Sequence, residues 1–141
     1  MLRLYLVAAV LLGTAGASMA GRQQTSVWDG VYSTEQAARG RRVFEARNCV
    51  SCHAEDCSPG DDGTPPIRGA YFMTRWDGQT VGEITAFIFS NMPRTKPRSL
   101  TPDEVADVAA YLLQLNGLPP GMTALPADPA AAGRIRFSET R

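Results

Sequence analysis

The sequence predicts an all-α fold of about three to five short helices joined by long loops. Three observations predict it. Three segments open with the pattern S/T-x-x-E/Q and continue with apolar residues at helical spacing. Strand-like alternation of apolar and polar residues is nearly absent. Thirteen glycines and ten prolines in 141 residues shorten helices and lengthen connections.

Taken in order, Ser33-Thr34-Glu35-Gln36 opens a helix to about Arg47, with Ala37, Gly40, Val43 and Phe44 on one face. Thr80-Val81-Gly82-Glu83 opens a second through Ile84, Phe87 and Ile88 to about Asn91. Thr101-Pro102-Asp103-Glu104 opens a third, with proline at the first helical position and acids in the first turn. It continues through Val105, Val108, Ala109, Leu112 and Leu115 and stops at Asn116-Gly117. Each opening is a capping box, expected to satisfy amide donors reciprocally. About thirty residues rich in Gly, Pro, Asp and Arg separate the first two helices, and Met92 to Arg98 forms a loop with two prolines. The tail from Leu118 to Arg141 is rich in Pro and Ala, with at most a short helix near Pro129 to Ala132. Short helices enclose little volume, and a loop this long in a compact domain points to function. Something besides side chains is expected to fill the middle.

Met1 to Ala20 reads as a secretory signal. Arg3 is the positive start, Leu4 to Leu12 the apolar stretch, and Ser18-Met19-Ala20 the cleavage site. The alternative is an uncleaved anchor, but the apolar stretch is short of the roughly 20 residues that span a bilayer. The chain then divides into a signal at 1–20, an N-terminal extension at 21–33, the main domain at 34–117 and a C-terminal extension at 118–141. Cleavage leaves no stable transmembrane segment. It delivers the chain to the periplasm or cell exterior, where free thiols tend not to persist.

Fourteen Lys and Arg balance fourteen Asp and Glu, so there is no basic excess for a nucleic-acid partner. A single His excludes metal sites that need two, and three Cys leave one over from any disulfide pairing.

Cys49-Val50-Ser51-Cys52-His53 is C-x-x-C-H, the attachment sequence for haem c. Two intervening residues match the spacing of the two haem vinyl groups to which the thiols add. The next residue projects over the iron, so His53 is the expected proximal ligand. Other readings are a tight disulfide, which is geometrically demanding, a thioredoxin-like redox pair, which needs a βαβ context, and zinc held with Cys57, for which the spacing is unusual. With the only His used, methionine is the natural sixth ligand, and a thioether raises the reduction potential. Met92 ends a helix, precedes Pro93 and begins an unusual loop, so it leads Met73, Met122 and an open site.

With these residues in place, the chain resembles class I c-type cytochromes from about Val27 to Gly121. The likeness rests on Gly40 and Phe44 before the motif, Pro65-Pro66-Ile67-Arg68-Gly69, Asn91-Met92-Pro93 and Tyr111-Leu112. It implies a class I cytochrome c fold around one covalently bound haem, whose first and last helices cross at the small residue. It also implies that the Pro65 carbonyl accepts the His53 Nδ1 hydrogen, fixing the imidazole. Val27 to Tyr32, Gln36 to Gly40, Trp76, Asn116-Gly117 and Leu125-Pro126 with Ile135-Arg136 narrow the resemblance to monohaem cytochromes associated with PQQ-dependent dehydrogenases. That implies a quinoprotein dehydrogenase or similar oxidoreductase as electron donor and an oxidase or cytochrome of the respiratory chain as acceptor. Such relatives tend to have glycine where this chain has Arg98, so the loop is expected to differ there. Ile67, Phe72, Ile84, Phe87, Ile88, Leu100 and Leu112 are expected around the haem, with Trp76, Arg68 or Arg75 at a propionate. Cys57 is expected to be a free or intermolecular thiol, the alternative being a buried and inert one. The function implied is one-electron transfer by a carrier that is not itself an enzyme. The alternatives are a docking subunit of a dehydrogenase complex and an open-site haem enzyme or ligand binder.

Overall fold

Ser33 caps α1, Thr34–Ala46, by accepting the Gln36 amide hydrogen at 3.2 Å. The computed structural model describes residues 25–60 and 63–141, so the expected signal at 1–20 lies outside the described residues. The return bond of a reciprocal cap does not form at α1. Gln36 is instead buried, and its side chain pairs with the Leu125 backbone, donating at 3.0 Å and accepting at 2.6 Å. A buried primary amide must be satisfied on both sides, and here the tail satisfies it. Replacing Gln36 by alanine strips partners from two buried backbone groups. It is expected to cost about 2 kcal/mol, read as a lower urea midpoint at unchanged slope.

The other two boxes close as expected. Thr80 and Glu83 cap α4, Val81–Asn91, and Thr101 and Glu104 cap α5, Pro102–Leu115, each with both reciprocal bonds. Between α1 and α4 lie α2, a single turn at Val50–His53, and α3, Gly69–Trp76. After α5 come α6, Pro129–Ala132, and β2, Ile135–Arg136, which pairs in parallel with β1, Thr25–Ser26, in the register Thr25 to Ile135. Six α-helical segments are therefore described, two of them only four residues long, besides a 3-10 turn at Val27–Asp29.

α1 crosses α5 at Gly40, where a Cβ would run into the Asp107 carbonyl. Ala37 and Phe44 face inward beside it, against Val105, Val108, Ala109 and Leu112 of α5. Ion pairs tie the crossing from outside: Arg39 holds Asp107 through two 3.0 Å bonds, and Arg47 holds Glu104.

The sequence placed a loop where α3 forms. Its first residue has no local side-chain cap. The Gly69 amide instead donates to Asn116 Oδ1 at 2.8 Å, while Asn116 Nδ2 donates to the Ile67 and Leu112 carbonyls. Phe72 and Trp76, one turn apart, then bury against the core.

The tail shares that core. Leu118, Leu125, Ile135 and Phe137 are buried, and Phe137 meets Phe72 edge-on at 5.8 Å. Tyr32 donates its hydroxyl to the Leu118 carbonyl, and burial pushes its pKa up to about 12, which keeps it a donor. Trp28 donates to the Ser138 carbonyl at 3.1 Å. The N-terminal segment and the tail thus bind each other.

Arg98 adopts φ +59°, the left-handed conformation that suits glycine, while its amide donates to the Phe89 carbonyl at 3.0 Å. Arg98→Gly is expected to stabilise the protein by about 1 kcal/mol, seen as a higher Tm.

Candidate haem site

The C-x-x-C-H turn is held by its own backbone. Cys52 and His53 donate their amides to the Cys49 carbonyl at 3.2 and 3.0 Å, and the Ser51 hydroxyl donates to the Asn48 carbonyl at 2.8 Å. Asn48 and Ala54 bracket it at φ +57° and +55°. Left-handed backbone at a residue with a Cβ costs about 1–2 kcal/mol and tends to mark functional segments. Cys49, Cys52 and His53 all line a cavity of about 670 Å³.

Met92 reaches the same cavity from the C-terminal end of α4, where its amide donates to the Ile88 carbonyl at 2.9 Å. The other methionines among the described residues do not line it: Met73 packs at the edge of the core and Met122 is exposed. All seven expected apolar residues, Ile67, Phe72, Ile84, Phe87, Ile88, Leu100 and Leu112, line the cavity, as do Pro65 and Trp76. Trp76 is 7% exposed, with the Phe87 ring edge-on at 5.7 Å and the Arg75 guanidinium over its face at 4.6 Å. Arg68 departs from the expectation. It does not line the cavity and donates to the Asp56 carbonyl at 3.0 Å.

The sequence reading did not assign Phe44, Tyr71 or Val108 to the lining. Phe44 lies 6.3 Å from the His53 ring and 5.6 Å from that of Tyr111. Its helical periodicity marked it as core, and its position five residues before Cys49 was the available signal. Val108 carried only the core signal of α5, and Tyr71 carried none.

Cys57 is a free thiol, as expected, but not one placed for an intermolecular bond: it is fully buried, with its sulfur 4.0 Å from the Tyr111 hydroxyl. Burial pushes its pKa up. The competing readings of the motif also weaken. Among the described residues no three His, Cys, Asp or Glu side chains gather to hold a metal ion, so zinc with Cys57 is not formed. Burial pushes the Cys49 thiol up to about 11, opposite to the lowered thiol of a C-x-x-C redox pair.

The donor set and volume fit haem. The space lies within the roughly 300–1,000 Å³ range of cofactor sites and is mainly apolar. Two thiols and an imidazole come to the cavity from the C-x-x-C-H turn, and a thioether comes from the end of α4.

A mostly helical chain closed over such a cavity by a C-x-x-C-H turn defines a c-type cytochrome. The chain belongs to the family described as cytochrome c oxidase, cbb3-type, subunit III, whose match covers residues 35–112, from α1 into α5. Its cofactor is covalently bound haem c, and its function is electron transfer. Proteins of this family are extracytoplasmic or membrane-anchored. Among the described residues no helix is long and apolar enough to cross a membrane.

The chain is 32% identical over 102 residues to the cbb3-type cytochrome c oxidase subunit CcoP of Rubrivivax gelatinosus, covering 72% of this chain and 31% of that protein. It is 33% identical over 79 residues to the thiosulfate dehydrogenase of Thiomonas intermedia (strain K12), covering 52% of this chain and 25% of that protein. The chain thus spans less than a third of the length of these curated relatives. No solved structure matches it significantly.

Proposed function

We propose that this chain is an exported monohaem electron carrier, with its signal at residues 1–20 and its site of action in the periplasm. Cys49 and Cys52 would hold the haem through thioethers, and His53 and Met92 would ligate its iron. The Pro65 carbonyl would accept the His53 Nδ1 hydrogen, Ile67 would pack against the haem and Trp76 would hydrogen-bond a propionate. The observation that carries this reading is the shared cavity of Cys49, Cys52, His53 and Met92.

Bound haem c supplies reversible one-electron Fe(III)/Fe(II) chemistry. His53 and Met92 would ligate the iron in both oxidation states, and the apolar side chains of Phe72, Ile84, Ile88 and Leu112 would keep water from it, so reorganisation would be small. No side chain is asked to move a proton or form a bond with a substrate, so the chain is proposed as a carrier and not an enzyme.

The proposed donor is a quinoprotein (PQQ) dehydrogenase or a similar oxidoreductase. The proposed acceptor is an oxidase or a cytochrome. The likeness to an oxidase subunit supports the acceptor side, and the likeness to thiosulfate dehydrogenase supports an oxidoreductase on the donor side.

Acid-acetone extraction and optical spectra test the reading. Haem should stay with the polypeptide, and the oxidised protein should be low-spin with a methionine–iron charge-transfer band. Extractable haem would refute attachment at Cys49 and Cys52. A high-spin spectrum would favour the open-site enzyme instead.

A further inference from the structure

One side-chain amide holds two adjoining pieces of the cavity wall. Asn116 lies at the C-terminal end of α5, where its own backbone amide donates to the Leu112 carbonyl at 3.1 Å. Its side chain reaches the segment that opens α3. Oδ1 accepts the Gly69 amide hydrogen at 2.8 Å, and Nδ2 donates to the Ile67 carbonyl at 3.2 Å and to the Leu112 carbonyl at 2.8 Å. Both ends of the amide are used, on the two backbone groups that flank Arg68. A carboxylate at this position would offer the two carbonyls no hydrogen. Gly69 stands at φ +69° and carries no side chain to restrain it, so the bond from Asn116 is what fixes the turn there.

Asn116 does not line the cavity, but what it holds does. Pro65, Pro66 and Ile67 line it before the contact, and Phe72 and Trp76 line it after. The same segment is also pinned to the loop after the C-x-x-C-H turn. The Ile67 amide donates to the Cys57 carbonyl at 3.2 Å, and Arg68 reaches Asp56 at its carbonyl, 3.0 Å, and at its carboxylate, 3.5 Å. The segment therefore bridges the loop that follows His53 and the end of α5.

We propose that Asn116 is a positioning residue for electron transfer: by fixing Ile67 and the start of α3 as one unit, it keeps this wall closed to water and so sets the reduction potential of the holoprotein. The proposal rests on the haem reading above. Water near a haem favours the ferric form, which carries the extra charge, and burial is one of the levers by which a protein raises the potential. A wall that opens lowers the potential with both axial ligands still in place.

Redox titration and amide hydrogen exchange of the holoprotein test this. In Asn116→Ala the potential should fall, so that at the parent's midpoint the ferric-to-ferrous ratio rises about threefold. The spectrum should stay low-spin and keep its methionine–iron band. The Ile67 and Gly69 amides should exchange about fivefold faster, the effect of losing a hydrogen bond. Gln36→Ala is the control for stability. It frees the tail at Leu125, and neither residue lines the cavity, so the potential should not move. Asn116→Asp keeps an acceptor for Gly69 and removes the donor to Ile67. Its Gly69 amide should stay slow while its Ile67 amide quickens, and it serves if the alanine variant does not fold.

A low-spin Asn116→Ala protein with the parent's potential, or a higher one, overturns the proposal and leaves the haem reading standing. Loss of the methionine–iron band in that variant also overturns it, because the change would then lie in ligation. So does an equal fall of potential in Gln36→Ala, or an Asn116→Asp protein whose Ile67 amide exchanges as slowly as the parent's. A parent protein without covalent haem overturns the haem reading and the proposal together.

Discussion

Replacing Met92 by alanine is expected to convert a low-spin haem protein into a high-spin one and to lower its reduction potential on the order of 100 mV or more, a modest part of the ~0.8 V that axial ligation commands. The residue sits at the end of α4, where the helix places it at the cavity while Ile88 and Ile84, at its preceding turns, pack as wall. Truncation removes the thioether and leaves that wall intact, so the fold should survive. Loss of the methionine charge-transfer band and binding of added imidazole or cyanide are the direct readouts. Met73→Ala and Met122→Ala should leave spectrum and potential unchanged, because neither residue lines the cavity. An unaltered spectrum in the Met92 variant would assign the ligand elsewhere.

Replacing Gly40 by alanine is expected to destabilise the protein by about 3 kcal/mol or more, at the upper end of overpacking effects. The added methyl meets the backbone carbonyl of Asp107 and approaches Tyr111 Cβ at 2.9 Å. Neither is the free end of a flexible side chain, so α1 and α5 must separate. Separation also strains the Arg39–Asp107 and Arg47–Glu104 pairs and draws Phe44 away from His53. Thermal unfolding should fall by roughly 10 °C, with the Soret band weakened in the folded fraction. An alanine variant as stable as the parent would mean that the helices do not cross closely there.

What was legible in the sequence was what local chemistry encodes. α4 and α5 each carry a complete cap within four residues, and α5 adds proline and two acids at its start. The C-x-x-C-H turn is likewise local, because haem attachment constrains five consecutive residues. The apolar lining was legible because the helices that supply most of it show their inner faces by periodicity. α3 was not legible. It is eight residues long, and the group that satisfies its first amide comes from Asn116, 47 residues away. Gln36 misled for the mirror reason: its position matched a local cap, but a buried partner in the tail outcompeted that role. The burial of Cys57 was hidden because Glu55, Asp56 and Ser58 around it read as surface, while the group over its sulfur belongs to α5. The tail lacked a helical or strand period, so Leu118, Leu125, Ile135 and Phe137 gave no sign of entering one core.

The cap that Asn116 gives α3 imposes an order in time. Phe72 and Trp76 form part of the cavity wall, yet the turn that presents them depends on a residue at the far end of α5, and Phe72 then rests on Phe137 near the C-terminus. A chain emerging N-terminus first has its two motif thiols and His53 available long before that wall is complete. Truncation anywhere before residue 116 therefore removes the group that starts α3, and truncation before residue 137 removes the ring behind Phe72, so the cavity wall depends on residues far outside the attachment motif.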